Sequence, residues 1–222
     1  MTPLRVVVLL RGGGPCDDAA LRAGLALGEV TVASVTAPPG DDEALREALA
    51  RGAGRALRVR DASLEGIDYH GTAQVLAALA RHAGFDVVLC GERSADEAQG
   101  AVGPAVAEAL DLAQVTAALD VRAEDGGIVI ERRDGGGRRT LRLPAPLLVT
   151  VTRSPAPPAR PRESPPPAIE ALDLEALGIQ AQELRHRVRC AGREAPRRGG
   201  GALLLPAEEL IERLLDERLL EP

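Results

Sequence analysis

Three glycines, Gly91, Gly100 and Gly103, follow an apolar run that stops at Cys90. Between the first two lies the polar loop "ERSADEAQ", residues 92–99. These residue types suit one kind of chemistry, the holding of an anion on backbone amides. Gly91 ends the run where a ligand can approach the main chain. Gly100 and Gly103 frame the start of an Ala-rich helical pattern, and the free N–H groups of a helix start attract phosphate. The spacing is neither a P-loop nor G-x-G-x-x-G, and no Lys or Ser/Thr stands at a Walker position. No G-x-S-x-G and no metal-ligand pair is present either.

The remaining reactive side chains read as supports. Cys90, at the end of an apolar run, reads as a buried inert thiol. Cys16 precedes a helical pattern, where a helix dipole lowers a thiol pKa, but no His is near it in sequence. Tyr69-His70 opens a helix and reads as a cap and packing pair. Asp96-Glu97 reads as a solvated or supporting loop pair. The Arg cluster between Arg185 and Arg198 suits an acidic partner, a cofactor phosphate or a solvated tail equally. No catalytic residue is expected, and no metal.

The elements that must position this corner follow from periodicity. "LRVVVLL" (Leu4–Leu10) is a continuous apolar run, as for a strand buried on both faces. Pro15 with Asp17 and Asp18 opens a helix that carries to Gly28. Val30–Val35 is the second strand, "RALRVRD" the third and "FDVVLCG" the fourth, with helical patterns between them and Pro104–Leu110 in a fourth helix. Strands alternating with helices predict parallel βαβ units. After Leu112, "EDGG" and "DGGG" between β-rich runs signal hairpins. Ala145–Thr152 returns to the main sheet. In Arg153–Ala168, seven of sixteen residues are Pro, which excludes helix and central strand. "IEALDLEALGI" is a short amphipathic segment, and "ALLLPAEELIERLLDERLL" predicts a terminal amphipathic helix with Leu210, Ile211, Leu214 and Leu215 on one stripe. The tail beyond Thr152 is too poor in apolar residues for its own core and is expected to wrap onto the domain or a partner.

Composition narrows the function further. Hydrophobic residues make up 45% of the chain and aromatics 1%, so the core is built from Leu, Val, Ala and Ile. With only two aromatics, Tyr69 and Phe85, and a net charge of −6, the chain is unsuited to single-stranded nucleic acid or anionic membrane. Three widely spaced cysteines form no disulfide framework, which fits a reduced cytoplasm. No run of about 20 apolar residues occurs, and the first apolar run is too short for a signal peptide.

The stretch "VLCGERSADEAQGAVGPAVAEALDLAQVT" resembles the electron transfer flavoprotein beta-subunit family. That family's signature reads roughly V-x-x-G-x-x-x-x-D-x-x-x-x-Q-x-G-x-x-x-A-x-x-L-x-x-P-x-x-T. Gly91, Asp96, Gly103, Leu110 and Thr116 fall in its register without gaps. "LRVVVLLRG", "GPCDDAALRAGLAL", "EALREALARGAGRALRV", "LRLPAPLLVTV" and "GALLLPAEELIERL" are similar, in order, to further family stretches. The resemblance implies a three-layer α/β/α nucleotide-binding domain over residues 1–152, with a mostly parallel sheet. Residues 153–222 would then be a proline- and arginine-rich arm whose terminal helix docks on a partner subunit. It implies a heterodimer with an alpha subunit that carries the redox FAD, AMP or a second FAD in the beta subunit, and a flavin-linked dehydrogenase as electron donor. The role is that of an electron carrier rather than an enzyme.

The implied nucleotide site comprises Leu9, Gly14, Pro15, Cys16, Asp17, Thr36, Gly91, Glu92, Arg93, Ser94, Asp96, Gln99, Gly100, Ala101, Val102 and Gly103. Several positions depart from the family pattern. Its Gln-Thr before the helix glycine is Ala101-Val102, its Asn is Gly14, and its acidic triplet is reduced to Asp96-Glu97 with Ala98 third. Arg11 replaces Lys, and the hairpin between first strand and first helix is missing. "PARPRESPPPA" replaces the loop that docks dehydrogenases. Losing two hydrogen bonds to a phosphate predicts weaker binding, by about 3–6 kcal/mol without compensation. The alternative is a stand-alone adenine-nucleotide-binding module of universal-stress type, against which the return strand and terminal helix speak.

Overall fold

The computed structural model describes residues 3–94, 98–125, 127–153, 167–184, 187–188 and 206–216. The chain forms two compact units, Met1–Arg189 and Cys190–Pro222.

In the first unit the chain runs β1 (Leu4–Leu9), α1 (Pro15–Leu27), β2 (Gly28–Thr36), α2 (Glu43–Ala50), β3 (Arg55–Arg60), α3 (Tyr69–Ala83), β4 (Val87–Gly91) and α4 (Val102–Leu110). It continues through β5 (Ala113–Glu124), β6 (Gly127–Asp134), β7 (Gly137–Leu143), β8 (Leu147–Val151) and β9 (Ile169–Leu172). The nine strands of the described residues join one sheet in the order β7-β6-β5-β8-β4-β1-β2-β3-β9. Every pairing from β5 to β9 through the centre is parallel, and only the β5–β6 and β6–β7 pairs are antiparallel.

Alternation along β1 explains the layers. Val6 and Val8 pack beneath α1 and α2, whereas Val7 and Leu9 pack beneath α3 and α4. Both faces of the central strands are therefore buried, and the fold is a three-layer α/β/α domain. Helix signals act as the residues dictate. Pro15 opens α1 at a position that needs no N–H. The Asp68 carboxylate caps α3, and Gly84, at φ +71°, ends it. Gly24 lets α1 approach the sheet, since a Cβ there would lie 2.8 Å from Val8 Cγ2.

Two boundaries differ from the sequence expectation. The second strand begins at Gly28, directly after α1, because Gly28 packs on the Leu4 backbone, where a Cβ would meet Leu4 O at 2.2 Å. The segment 169–179 contributes a strand, β9, that pairs with β3. Arg55 holds its partner strand through Glu170, with Nη2 at 2.7 Å from Oε2. Leu174 and Leu184 follow and are buried against α3's side of the core.

In the second unit, α5 (Ala207–Asp216) starts after Pro206 with Glu208 and Glu209 in its first turn, and Leu210, Ile211 and Leu215 are exposed on it. Residues 154–166 and 189–205, including most of the proline-rich stretch and Cys190, lie outside the described residues. No helix among the described residues is long and apolar enough to cross a membrane.

Candidate functional site

The carboxyl ends of β1 and β4 stop beside the first turns of α1, α3 and α4, and a cleft opens there, the expected place in a parallel sheet. It measures about 840 Å3, counting space open to solvent. Ten of the expected site residues line it: Leu9, Asp17, Gly91, Glu92, Ser94, Gln99, Gly100, Ala101, Val102 and Gly103. Gly14, Pro15, Cys16, Thr36 and Arg93 do not line it. Asp96 lies outside the described residues.

Local structure explains this sorting. Gly14 and Pro15 are the cap and first residue of α1. Cys16 faces the crossing with β4, since a Cβ built on Gly91 would sit 2.9 Å from Cys16 Cβ. Thr36 turns its hydroxyl onto the Ala37 carbonyl at 3.2 Å. Arg93 reaches back towards Glu92, with Nε 3.9 Å from Oε1.

The sequence reading missed a wall. Val35, Ile67, Tyr69, Thr72 and Leu76 line the cleft as well, as do Leu10, Arg11 and Cys90. The available signal was the spacing Tyr69, Thr72, Leu76, one face of a helix. Together with Val35 and Ile67 these side chains make an apolar flank suited to a planar ring.

Part of the lining is main chain, at Gly91, Gly100 and Gly103. Gly91 allows α1 and β4 to cross, and Gly100 sits at φ +66°, the left-handed region that favours glycine. Gly103 lets α4 lie on the sheet, because a Cβ there would stand 2.7 Å from Thr150 Cγ2 and 2.8 Å from Cys90 Sγ. Among the described residues no side chain caps α4. Its first amides, at Val102 and Gly103, therefore lack an intrahelical acceptor, and the next residue is Pro104.

Asp17 organises the loop between β1 and α1. It is 6% exposed. Its Oδ2 accepts the N–H groups of Arg11 at 3.0 Å, Gly12 at 3.2 Å and Gly13 at 3.2 Å. Those amides are thus taken up internally. Burial pushes the Asp17 carboxyl above its usual range, although these bonds and one from Gly14 oppose the shift. Burial and the neighbouring Asp17 charge push the Cys90 thiol up to about 12, so it stays protonated and inert. Among the described residues no group of three His, Cys, Asp or Glu is placed to hold a metal ion.

The Asp17 shift carries a prediction. A carboxyl raised in the fold contributes stability that is complete below its unfolded value, about 3.9. That contribution is lost as pH rises through the folded value. The stability of the wild type relative to Asp17→Asn therefore declines as pH rises from about 3.9 through the raised folded value, read in paired thermal melts. A relative stability that climbs with pH would mean that the loop amides outweigh burial.

Comparison with known proteins matches this architecture. The family model described as the electron transfer flavoprotein domain matches residues 12–177. The chain is 36% identical over 126 residues to the electron transfer flavoprotein subunit beta of Thermoanaerobacterium thermosaccharolyticum, covering 57% of this chain and 48% of that one. It is 39% identical over 150 residues to protein FixA of Rhizobium meliloti, covering 62% and 51%. Against the electron transfer flavoprotein subunit beta of Megasphaera elsdenii it is 29% identical over 232 residues, covering 93% and 84%. The match thus spans about half the length of the first two relatives and most of the third. The chain belongs to the electron transfer flavoprotein family, in its beta-subunit branch.

Proposed function

We propose that this chain is the beta-type subunit of an electron transfer flavoprotein. It pairs with an alpha subunit that carries FAD and passes electrons from a flavin-linked dehydrogenase to an acceptor, in the cytoplasm. The observation that carries this reading is the cleft itself, lined at the carboxyl ends of β1 and β4 by an apolar flank from α3 and by the start of α4, which no side chain caps among the described residues.

The residues present fit an adenine nucleotide, AMP or the adenylate half of a second FAD. Ile67, Tyr69 and Leu76 suit the base, and the amides near Gly100, Val102 and Gly103 suit a phosphate. The loop amides at Arg11–Gly13 already serve Asp17, so they are poor candidates for that phosphate. FAD, when bound in the alpha subunit, supplies the redox chemistry. This chain's residues bind, orient and exclude water, and none of them is asked to react. The terminal arm, with its exposed Leu210, Ile211 and Leu215, supplies a face for the partner.

Where the family carries Gln-Thr, Ala101 and Val102 offer no polar side chain. Ala101→Gln with Val102→Thr is therefore expected to tighten AMP binding by the purified complex about a hundredfold in calorimetric titration. Unchanged affinity would place the phosphate away from α4 and defeat this reading of the cleft.

A further inference from the structure

The Asp68 carboxylate serves two chain segments far apart in sequence. Its Oδ1 accepts the Gly71 N–H at 2.9 Å and caps α3. Its Oδ2 accepts the N–H of Arg187 at 2.6 Å and of Val188 at 2.8 Å. Residues on either side of it, Ile67, Tyr69 and Thr72, line the cleft. Thr72 is tied to the same residue, its Oγ1 donating to the Asp68 carbonyl at 3.0 Å. Arg187 and Val188 are exposed and sit just before the first unit ends at Arg189. The preceding apolar anchor is Leu184, buried against α3's side of the core.

We propose that Asp68 is a two-sided latch, fixing the start of the cleft wall with one oxygen and strapping the segment at Arg187 and Val188 to that wall with the other. The strap is made of main-chain N–H groups, so it depends on the carboxylate and not on the identity of Arg187 or Val188. The donors hold Asp68 in its charged form: burial alone would raise its pKa, but the amides of Gly71, Val188, Arg187 and His70 outweigh it and pull the carboxyl below its ordinary range. The last described residues of the first unit, Arg187 and Val188, are thereby tied to the cap of the helix that carries Tyr69 and Thr72. Nothing about this latch requires the cleft to hold a nucleotide.

The two halves of the latch separate chemically. Asn and Ser both cap helices about as well as Asp. Asn, however, keeps one oxygen for Gly71 and presents an NH2 to two N–H donors, which cannot bond it. Ser has a single oxygen. Hydrogen exchange on the full chain, read at the Arg187 and Val188 amides and at the first turns of α3, tests the proposal in Asp68→Asn and Asp68→Ser. The expected result is exchange about tenfold faster at 187 and 188 in both variants, with α3 unchanged. Unchanged exchange at 187 and 188 overturns the latch. Equal acceleration at 187, 188 and α3 also overturns it, because Asp68 would then be only a cap.

Discussion

Asp18→Ala destabilises the protein by about 3 kcal/mol in denaturant unfolding, more than an ordinary surface substitution by a wide margin. The reason is the cation it strands. Arg51 follows α2, and its side chain is only 5% exposed. Nη1 pairs with Asp18 Oδ1 and more loosely with Glu47 Oε1 at 3.5 Å. The Nε and Nη2 atoms are buried with no hydrogen-bond partner among the described residues. Removing Asp18 leaves a buried guanidinium with one distant, largely exposed carboxylate. Breaking a buried pair from one side costs about 3–5 kcal/mol, and the surviving Glu47 contact argues for the lower end. Replacing both partners by apolar residues avoids the stranded charge. Arg51→Met with Asp18→Leu is therefore expected to return to within about 1 kcal/mol of the wild type. A single mutant as stable as the wild type would show that Arg51 escapes to solvent.

Gly91→Val is the second large effect, and it strikes the cleft as well as the fold. A Cβ at Gly91 would stand 2.8 Å from Asp17 Oδ1, 2.9 Å from Cys16 Cβ and 3.0 Å from Asp17 N. The last contact is backbone in the first turn of α1 and cannot swing aside. Either α1 lifts from β4, or the Asp17 carboxylate leaves the Arg11, Gly12 and Gly13 amides. Both routes cost about 3 kcal/mol, from overpacking or from buried donors left unpaired. Both also move Asp17 and Gly91 together, two residues of the cleft floor. The expected outcome is a lowered melting temperature, with loss of the AMP binding proposed for the cleft. Wild-type values for both would show that the crossing is looser than it looks.

Most of the fold was legible because its signals are local. Apolar runs without alternation pointed to the strands buried on both faces, and Pro15 with Asp17 and Asp18 marked the start of α1. The cap of α3 is the Asp68 carboxylate and not the Tyr69-His70 pair that reads as the cap in sequence. What could not be read was non-local. β9 is four residues long, follows a proline-rich stretch and pairs with β3 across more than a hundred residues. Its Glu170–Arg55 contact leaves no periodic trace in sequence. The cleft shows the same division. The glycines at 91, 100 and 103 announced a main-chain surface before any geometry was known. The apolar flank depends on which face α3 turns towards β1 and β2, which its own stripe leaves open. Asp17 shows a subtler gap. Acidic residues near a helix start suggest a dipole effect, but its larger task is to accept the loop amides. The same internal bonding takes those amides out of reach of a ligand.

The measurement that tests the central claim most directly is co-expression with an alpha-type electron transfer flavoprotein subunit, followed by size exclusion and an absorbance spectrum. The account predicts a yellow 1:1 heterodimer that releases AMP, or FAD beyond the alpha subunit's own, on denaturation. A colourless monomer that ignores the partner would contradict it.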